Sequence, residues 1–205
     1  MTIDLNCDMG EAYGIYKCGD DAGIMPLISV ANVACGFHAS DPSVMRQTVR
    51  LAKQHGVRVG AHPSYPDRDG FGRRRMEMEA EELTASIIYQ VGALKGFLDA
   101  EGMALNHIKP HGALYGTAWR DENVARAIAR AAKAFAVPLM AMSGTGMGNW
   151  YQDEGVDVIW ETYIDLEYND DGEIVITRQH KSVSAKAAAA QALRSARDGQ
   201  VQTMS

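Results

Sequence analysis

The sequence predicts an α/β fold in which parallel strands alternate with helices, most economically a β/α barrel or an incomplete one. Three observations predict it. Short apolar runs recur along the chain, each followed by a turn and then by apolar residues at helical spacing. Helix boundaries are punctuated, with Asp41-Pro42 opening one helix and Gly56 closing it. Three of the runs end on a histidine: Val33-Ala34-Cys35-Gly36-Phe37-His38, Val57-Arg58-Val59-Gly60-Ala61-His62 and Ile108-Lys109-Pro110-His111. In such folds, residues just past the strand carboxyl ends gather on one face, so histidines distant in sequence can share a pocket.

The elements follow in order. Ile3 to Asn6 reads as a short first strand, with the loop Asp8-Met9-Gly10-Glu11-Ala12-Tyr13-Gly14 beyond it. The helix after Asp41 carries Met45, Val49 and Ala52 on one face. Val57 to Ala61 is the next strand. A loop through Pro63, Pro66, Gly70 and Gly72 leads to a helix with Leu83, Ile87, Val91, Leu94 and Leu98 on its buried side, stopped by Gly102. Leu105 to Ile108 is a strand, followed by a helix from about Asp121 to Phe135 in which Val124, Ile128, Ala131 and Phe135 recur. A strand at Val137 to Met142 runs into Ser143-Gly144-Thr145-Gly146-Met147-Gly148, which matches neither common nucleotide-loop pattern and reads as a tight turn, with an anion site as the alternative. Val156 to Trp160 is strand-like. Asp171-Gly172 between Tyr163–Leu166 and Ile174–Ile176 signals a hairpin, and an Ala-rich helix from about Ser184 to Arg197 closes at Gly199.

At 205 residues, 46% hydrophobic and 22% charged, the chain has the composition of one globular domain spanning 1–205. A net charge of −6 argues against nucleic acid as a partner. The one basic run, Arg73-Arg74-Arg75, reads as a solvated loop or ion-pair cluster, with a phosphate clamp as the alternative. No apolar stretch approaches the roughly 20 residues that span a bilayer, and the start Met1-Thr2-Ile3-Asp4 lacks the pattern of a signal peptide, so no membrane partner and a cytoplasmic location are expected. Cys7, Cys18 and Cys35 have no C-x-x-C spacing, so neither a disulfide framework nor a zinc knuckle is expected.

The candidate chemistry lies at the strand ends. Asp8 and Glu11 form a carboxylate pair able to supply a general base and a positioning group or metal ligand, with turn capping by Asp8 as the plain alternative. His38 stands at a strand-to-helix turn, and Pro63 fixes the turn after His62. Lys109 and His111 bracket Pro110, which would set a cation and an imidazole beside a developing oxyanion. His55, in a helix's last turn, His107, inside a strand, and His180, after the hairpin, rank lower.

Five segments carry a family resemblance: Asp4-Leu5-Asn6-Cys7-Asp8-Met9-Gly10-Glu11, Ala31 to Asp41, Gly60-Ala61-His62-Pro63-Ser64-Tyr65-Pro66-Asp67, Gly70-Phe71-Gly72-Arg73-Arg74, and His107 to Tyr115. In that order they resemble the LamB/YcsF lactam-utilisation family, the A subunits of 5-oxoprolinases. The resemblance implies a seven-stranded β/α barrel of the (β/α)7 type, related to the glycoside hydrolase and deacetylase folds. It implies participation, with separate B and C subunits, in the ATP-coupled opening of 5-oxo-L-proline to L-glutamate, with 5-oxoproline or a related lactam as the bound substrate. It also implies Asn6, Asn32, Asp41, Tyr65, Arg73 and Tyr115 as substrate-binding residues beside Asp8, Glu11, His38, His62, Lys109 and His111. Family members have an acidic element with an arginine after a later strand, where this chain has Tyr163-Ile164-Asp165-Leu166-Glu167-Tyr168, and they continue into a strand bearing His-Gly-Asp. The chain ends at Met204-Ser205 without that element, so a barrel lacking its last unit is expected, its gap open to coverage by another chain.

Chemically, this set assigns Asp8 or Glu11 as base for water, Lys109 and His111 as stabilisers of carbonyl or phosphoryl charge, and His38 and His62 as proton-transfer or orienting groups. Two alternatives stand beside it. One is an amidohydrolase or deacetylase using a divalent metal held by Asp8, His38, His62 and His111; the other is a non-catalytic lactam-binding subunit. Self-association into a homo-oligomer is compatible with either.

Overall fold

A computed structural model of the chain describes residues 3–170, 174–175, 183–199 and 201. Within them, six strands form one sheet: β1 (Asn6–Met9), β2 (Val30–Ala34), β3 (Arg58–His62), β4 (Leu105–Ile108), β5 (Leu139–Met142) and β6 (Val158–Glu161). Every neighbouring pair is parallel and the spatial order follows the chain. Parallel pairing of consecutive strands requires crossovers. These contain α1 (Asp21–Ile24), α2 (Pro42–His55), α3 (Ala80–Ala100), α4 (Gly112–Ala118), α5 (Glu122–Lys133) and α6 (Met147–Asp153), with α7 (Ala185–Asp198) following β6.

The sheet is curled into an incomplete barrel. Although β1 and β6 are its two edges, the Asn6 side-chain amide donates to Glu161 Oε2 at 3.3 Å, so the strands furthest apart in the sheet order meet across the interior. Alternation along the strands sorts the side chains. Ala31, Val33, Val59 and Ala61 face the apolar layer under the helices, whereas Asp8, Asn32 and Gly60 stand in register on the opposite face.

The helices form where their caps and apolar faces coincide. Asp41 accepts from the Ser43 and Val44 N–H groups, Pro42 occupies the first turn, and Gly56 closes α2 with φ of +68°. Met45, Val49 and Ala52 are buried as their spacing predicts, together with Thr48. The expected stripe of α3 is likewise buried, joined by Gln90. Asp121 caps α5, which ends at Lys133 rather than Phe135, and alanines form most of its buried face. Small residues allow close approach: the Thr84 hydroxyl of α3 donates to the Ala127 carbonyl of α5 at 3.0 Å.

Several boundaries differ from expectation. β1 begins where the expected first strand ends, because the interior it faces is polar and its sequence, Asn-Cys-Asp-Met, lacks an apolar alternation. Met147 and Gly148, expected in a turn, open α6, and Gly148 allows the Trp160 ring close approach. The hairpin arm is Glu167–Tyr168 rather than Tyr163–Leu166: Tyr168 bridges Ile174 antiparallel, and the Val175 N–H donates to the Glu167 carbonyl at 2.8 Å. Asp171, Gly172, Ile176 and His180 lie outside the described residues. No helix among the described residues is long and apolar enough to cross a membrane.

Candidate active site

Strand ends deliver the site. His62 is the last residue of β3, Glu161 the last of β6, and Lys109 and His111 follow β4. The segment after β4 continues to bond β3 and its loop, with the Lys109 N–H on the Ala61 carbonyl at 2.9 Å and the His111 N–H on the Pro63 carbonyl at 2.8 Å. Asp8 sits within β1, not in the loop after it, and Glu11 lies just beyond. The loop holding His38 is clasped by Arg68, which donates to the Gly36 and Ser40 carbonyls and stacks over the Tyr13 ring.

The three expected histidines meet. His38 and His111 stack with ring centroids 3.8 Å apart, and His62 packs edge-on against His111. His62 Nδ1 donates to the Lys109 carbonyl at 2.7 Å, and His111 Nε2 donates to the Phe71 carbonyl at 2.8 Å. Phe71 has φ of +54°, a left-handed conformation uncommon for an aromatic residue. The free nitrogens of the two rings, His62 Nε2 and His111 Nδ1, are 3.0 Å apart. Glu11 Oε1 lies 3.1 Å from His38 Nε2 and 3.6 Å from His111 Nδ1. Asp8 Oδ2 lies 3.4 Å from His62 Nε2.

Beneath this cluster runs a second polar network. The Asn32 side-chain amide donates to Asn6 Oδ1 at 2.7 Å and Asp8 Oδ1 at 2.9 Å, while its carbonyl oxygen accepts from His107 Nε2 at 2.7 Å. Lys109 Nζ reaches Glu161 Oε2 at 2.9 Å, Asn6 Oδ1 at 3.1 Å and Asp8 Oδ1 at 3.7 Å. The Tyr115 hydroxyl donates to Glu161 Oε1 at 2.7 Å. Asp8 joins the two networks. It also lines a cleft of about 570 Å³ between β1 and β6, with Asn6, Lys109, Glu161 and Tyr163.

The electrostatics separate the two carboxylates. Burial alone would raise Asp8, but His62 and Lys109 outweigh it and hold the group well below the ordinary carboxylate range. Its side chain is 38% exposed, so water tempers the burial. Glu11 is raised by burial. Burial would lower His62, yet Asp8 and then Glu11 raise it. Burial, then the neighbouring His62, pushes His111 down to about 3 and His38 down to about 2. Lys109, which burial would discharge, is held charged by Asp8 and Glu161. Together these groups offer an ionised carboxylate facing a cleft, a buried cation and an imidazole cluster.

The structure thus brings together Asn6, Asp8, Glu11, Asn32, His38, His62, Lys109, His111 and Tyr115. Arg73 is exposed above the cluster with its guanidinium over the Phe71 ring, while Arg74 pairs with Asp67 and Arg75 approaches Asp121. Asp41 and Tyr65 stand apart. Both Asp41 oxygens take backbone N–H groups, from Gly14 and from Ser43 and Val44, and Tyr65 lies in the apolar core. Sequence reasoning missed Glu161, because the strand was expected to end at Trp160, and it set His107 aside as a strand residue. An alternating polar residue within an apolar strand of a barrel was the available signal.

An incomplete parallel α/β barrel with acids, buried imidazoles and a buried lysine at its strand carboxyl ends has the build of a barrel enzyme. The chain belongs to the LamB/YcsF family, whose model matches residues 3–205. It is 52% identical over 177 residues to the lactam utilization protein lamB of Emericella nidulans, covering 86% of this chain and 70% of that protein. It is 46% identical over 208 residues to the 5-oxoprolinase A subunit of Thermus thermophilus, covering 100% of this chain and 83% of that one. The crystal structure of a lactam utilization protein from Thermus thermophilus superposes with a TM-score of 0.95 at 45% identity, covering 100% of this chain and 84% of that one.

Proposed function

We propose that this chain acts as the A subunit of a 5-oxoprolinase, opening the ring amide of 5-oxo-L-proline to L-glutamate in the cytoplasm, with B and C subunits as partners and ATP as co-substrate of the assembly. The observation that carries the reading is Asp8: an ionised carboxylate facing a cleft, between His62 at 3.4 Å and Lys109 at 3.7 Å, in a chain whose relatives bear that enzyme's name.

A lactam is a resonance-stabilised amide, so opening it needs an activated carbonyl, a nucleophilic water and a proton for the leaving nitrogen. Transfer of the γ-phosphoryl group of ATP to the lactam oxygen releases ADP and makes the ring carbon electrophilic. Water then adds to that carbon, the C–N bond breaks as nitrogen takes a proton, and an acyl phosphate remains. A second water releases phosphate and the new carboxylate. Asp8 is better suited than Glu11 to take the proton from water, because its neighbours keep it ionised while burial raises Glu11. Asp8 then returns that proton toward nitrogen, and His62 and His38 orient this apparatus. Lys109 and His111 lie beside the charge that develops on the carbonyl or phosphoryl oxygen, with Asn6 lining the cleft, Arg73 exposed above the cluster, and the buried Asn32 and Tyr115 supporting Asp8 and Glu161.

Reconstitution with the B and C subunits tests this reading. Glutamate release coupled to ATP hydrolysis should fall by about 100-fold or more in Asp8→Asn and in His62→Ala, the usual contribution of a positioned acid or base, with near-UV circular dichroism unchanged. Undiminished turnover in both variants would overturn it.

A further inference from the structure

We propose that His62 Nε2, His111 Nδ1 and Glu11 Oε1 form a binding site for one divalent transition-metal ion, with a fourth position open beside Asp8. The inference begins with the rings' outer nitrogens. A main-chain carbonyl only accepts, so the Lys109 carbonyl requires the proton of His62 on Nδ1, and the Phe71 carbonyl requires the proton of His111 on Nε2. The two remaining nitrogens then face each other at 3.0 Å, a contact that needs a positive charge between them: a second proton on His62, which Asp8 and Glu11 favour, or an ion in its place.

The spacing suits an ion. Bonds of about 2.0 to 2.1 Å in a tetrahedron place its ligand atoms roughly 3.4 Å apart. Here His62 Nε2 to His111 Nδ1 is 3.0 Å and His111 Nδ1 to Glu11 Oε1 is 3.6 Å. The rings meet edge to face at 84°, so their in-plane lone pairs converge from different directions. Each imidazole gives its other N–H to a carbonyl, the outer-shell arrangement that fixes tautomer and orientation in metal sites. His38 lies against His111 in a parallel stack 3.8 Å away, so a metal in the His111 ring plane falls outside the His38 plane. Its place is therefore behind the ligand set, with Nε2 on Glu11 and a buried Nδ1 that has no hydrogen-bond partner. Two imidazoles, one carboxylate and an open position suit zinc and its borderline neighbours better than magnesium or calcium.

Binding is measured without turnover, so this inference and the lactam reading fail separately. Protein stripped with a chelator is titrated with Zn²⁺ by calorimetry and with Co²⁺ by visible absorption. One equivalent per chain is expected, with intense Co²⁺ bands of a four- or five-coordinate ion, and an affinity more than about 100-fold weaker in His111→Ala and Glu11→Gln, beyond what losing a merely supporting residue costs. Should His111→Ala fail to fold, Glu11→Gln and the Co²⁺ spectrum of the unaltered chain decide. Sub-stoichiometric binding, binding that both variants retain, or imidazole ¹⁵N resonances showing one proton shared by His62 and His111 in the presence of equimolar Zn²⁺ would overturn it.

Discussion

The Asn6 side-chain amide on β1 donates to the Glu161 carboxylate on β6 at 3.3 Å, joining the two edges of the sheet through its interior. Lys109 lies between them, 2.9 Å from Glu161 Oε2 and 3.1 Å from Asn6 Oδ1. The curl of the sheet and the charge at its centre are therefore coupled.

Replacing Glu161 with leucine leaves the buried Lys109 with the neutral Asn6 Oδ1 at 3.1 Å and the longer 3.7 Å contact to the Asp8 carboxylate, and leaves the Tyr115 hydroxyl without its Glu161 acceptor. A broken buried pair costs about 3 kcal/mol. Urea unfolding should register a loss of that order, and Glu161→Gln, which keeps an oxygen for Tyr115, should lose less. Equal losses in the two variants would show that the Tyr115 hydrogen bond contributes little, and no loss in either would show the same of the charge.

Gly60 is required by its neighbour. A methyl group there would sit 2.0 Å from the His107 ring. Gly60→Ala should destabilise the fold by about 3 kcal/mol, the upper range for overpacking, and adding His107→Ala should recover part of that loss. A double-mutant cycle by chemical denaturation measures the coupling; additive effects would contradict the clash.

His107 makes stability depend on pH. Burial, then Lys109, pushes its folded-state value from 6.5 to about 3. Above 6.5 the ring is neutral in both states. Between 6.5 and 3 the unfolded chain binds a proton that the folded chain refuses, so stability falls as pH falls, by up to about 1.4 kcal/mol per unit. The stability gap between the unaltered chain and His107→Gln should therefore shrink from pH 7 to pH 5. A pH-independent gap would refute the assignment.

Gly72, with φ of +65°, lies over the histidine stack, where an added Cβ would stand 2.4 Å from Ser64 Oγ, 2.8 Å from His111 Cδ2 and 2.9 Å from His38 Cβ. Gly72→Ala should displace these rings and lower turnover of the reconstituted complex by about 100-fold, the cost of roughly 1 Å of misplacement, while the chain still folds. Steady-state kinetics beside circular dichroism would check it. An unchanged rate would remove the stack from the rate-determining geometry.

Much of the architecture was legible because local chemistry specifies it. The cap at Asp41, the stop at Gly56 and the stripe from Leu83 to Leu98 each depend on residues within a few turns of one another. The histidines at 38, 62 and 111 were legible for a related reason: a polar residue directly after an apolar run marks a strand end. Asn6 and Asp8 misled because a strand facing a polar interior has no apolar alternation. Glu161 was lost to an error of one residue in a strand boundary, and His107 to the expectation that a histidine within a strand is structural.

The sequence by itself determined the alternation of strands and helices, their caps, and which groups stand at the strand ends, since each follows from near-neighbour sterics and periodic burial. Only the tertiary structure decided that β1 curls within reach of β6, that the Lys109 and Phe71 carbonyls select the tautomers of His62 and His111, and that Asp8 stays ionised while Glu11 is raised. Those outcomes depend on distances between residues far apart in the chain, such as Asn6 and Glu161 or Asp8 and His62, and on how far each is removed from water, and neither quantity is written in any local pattern.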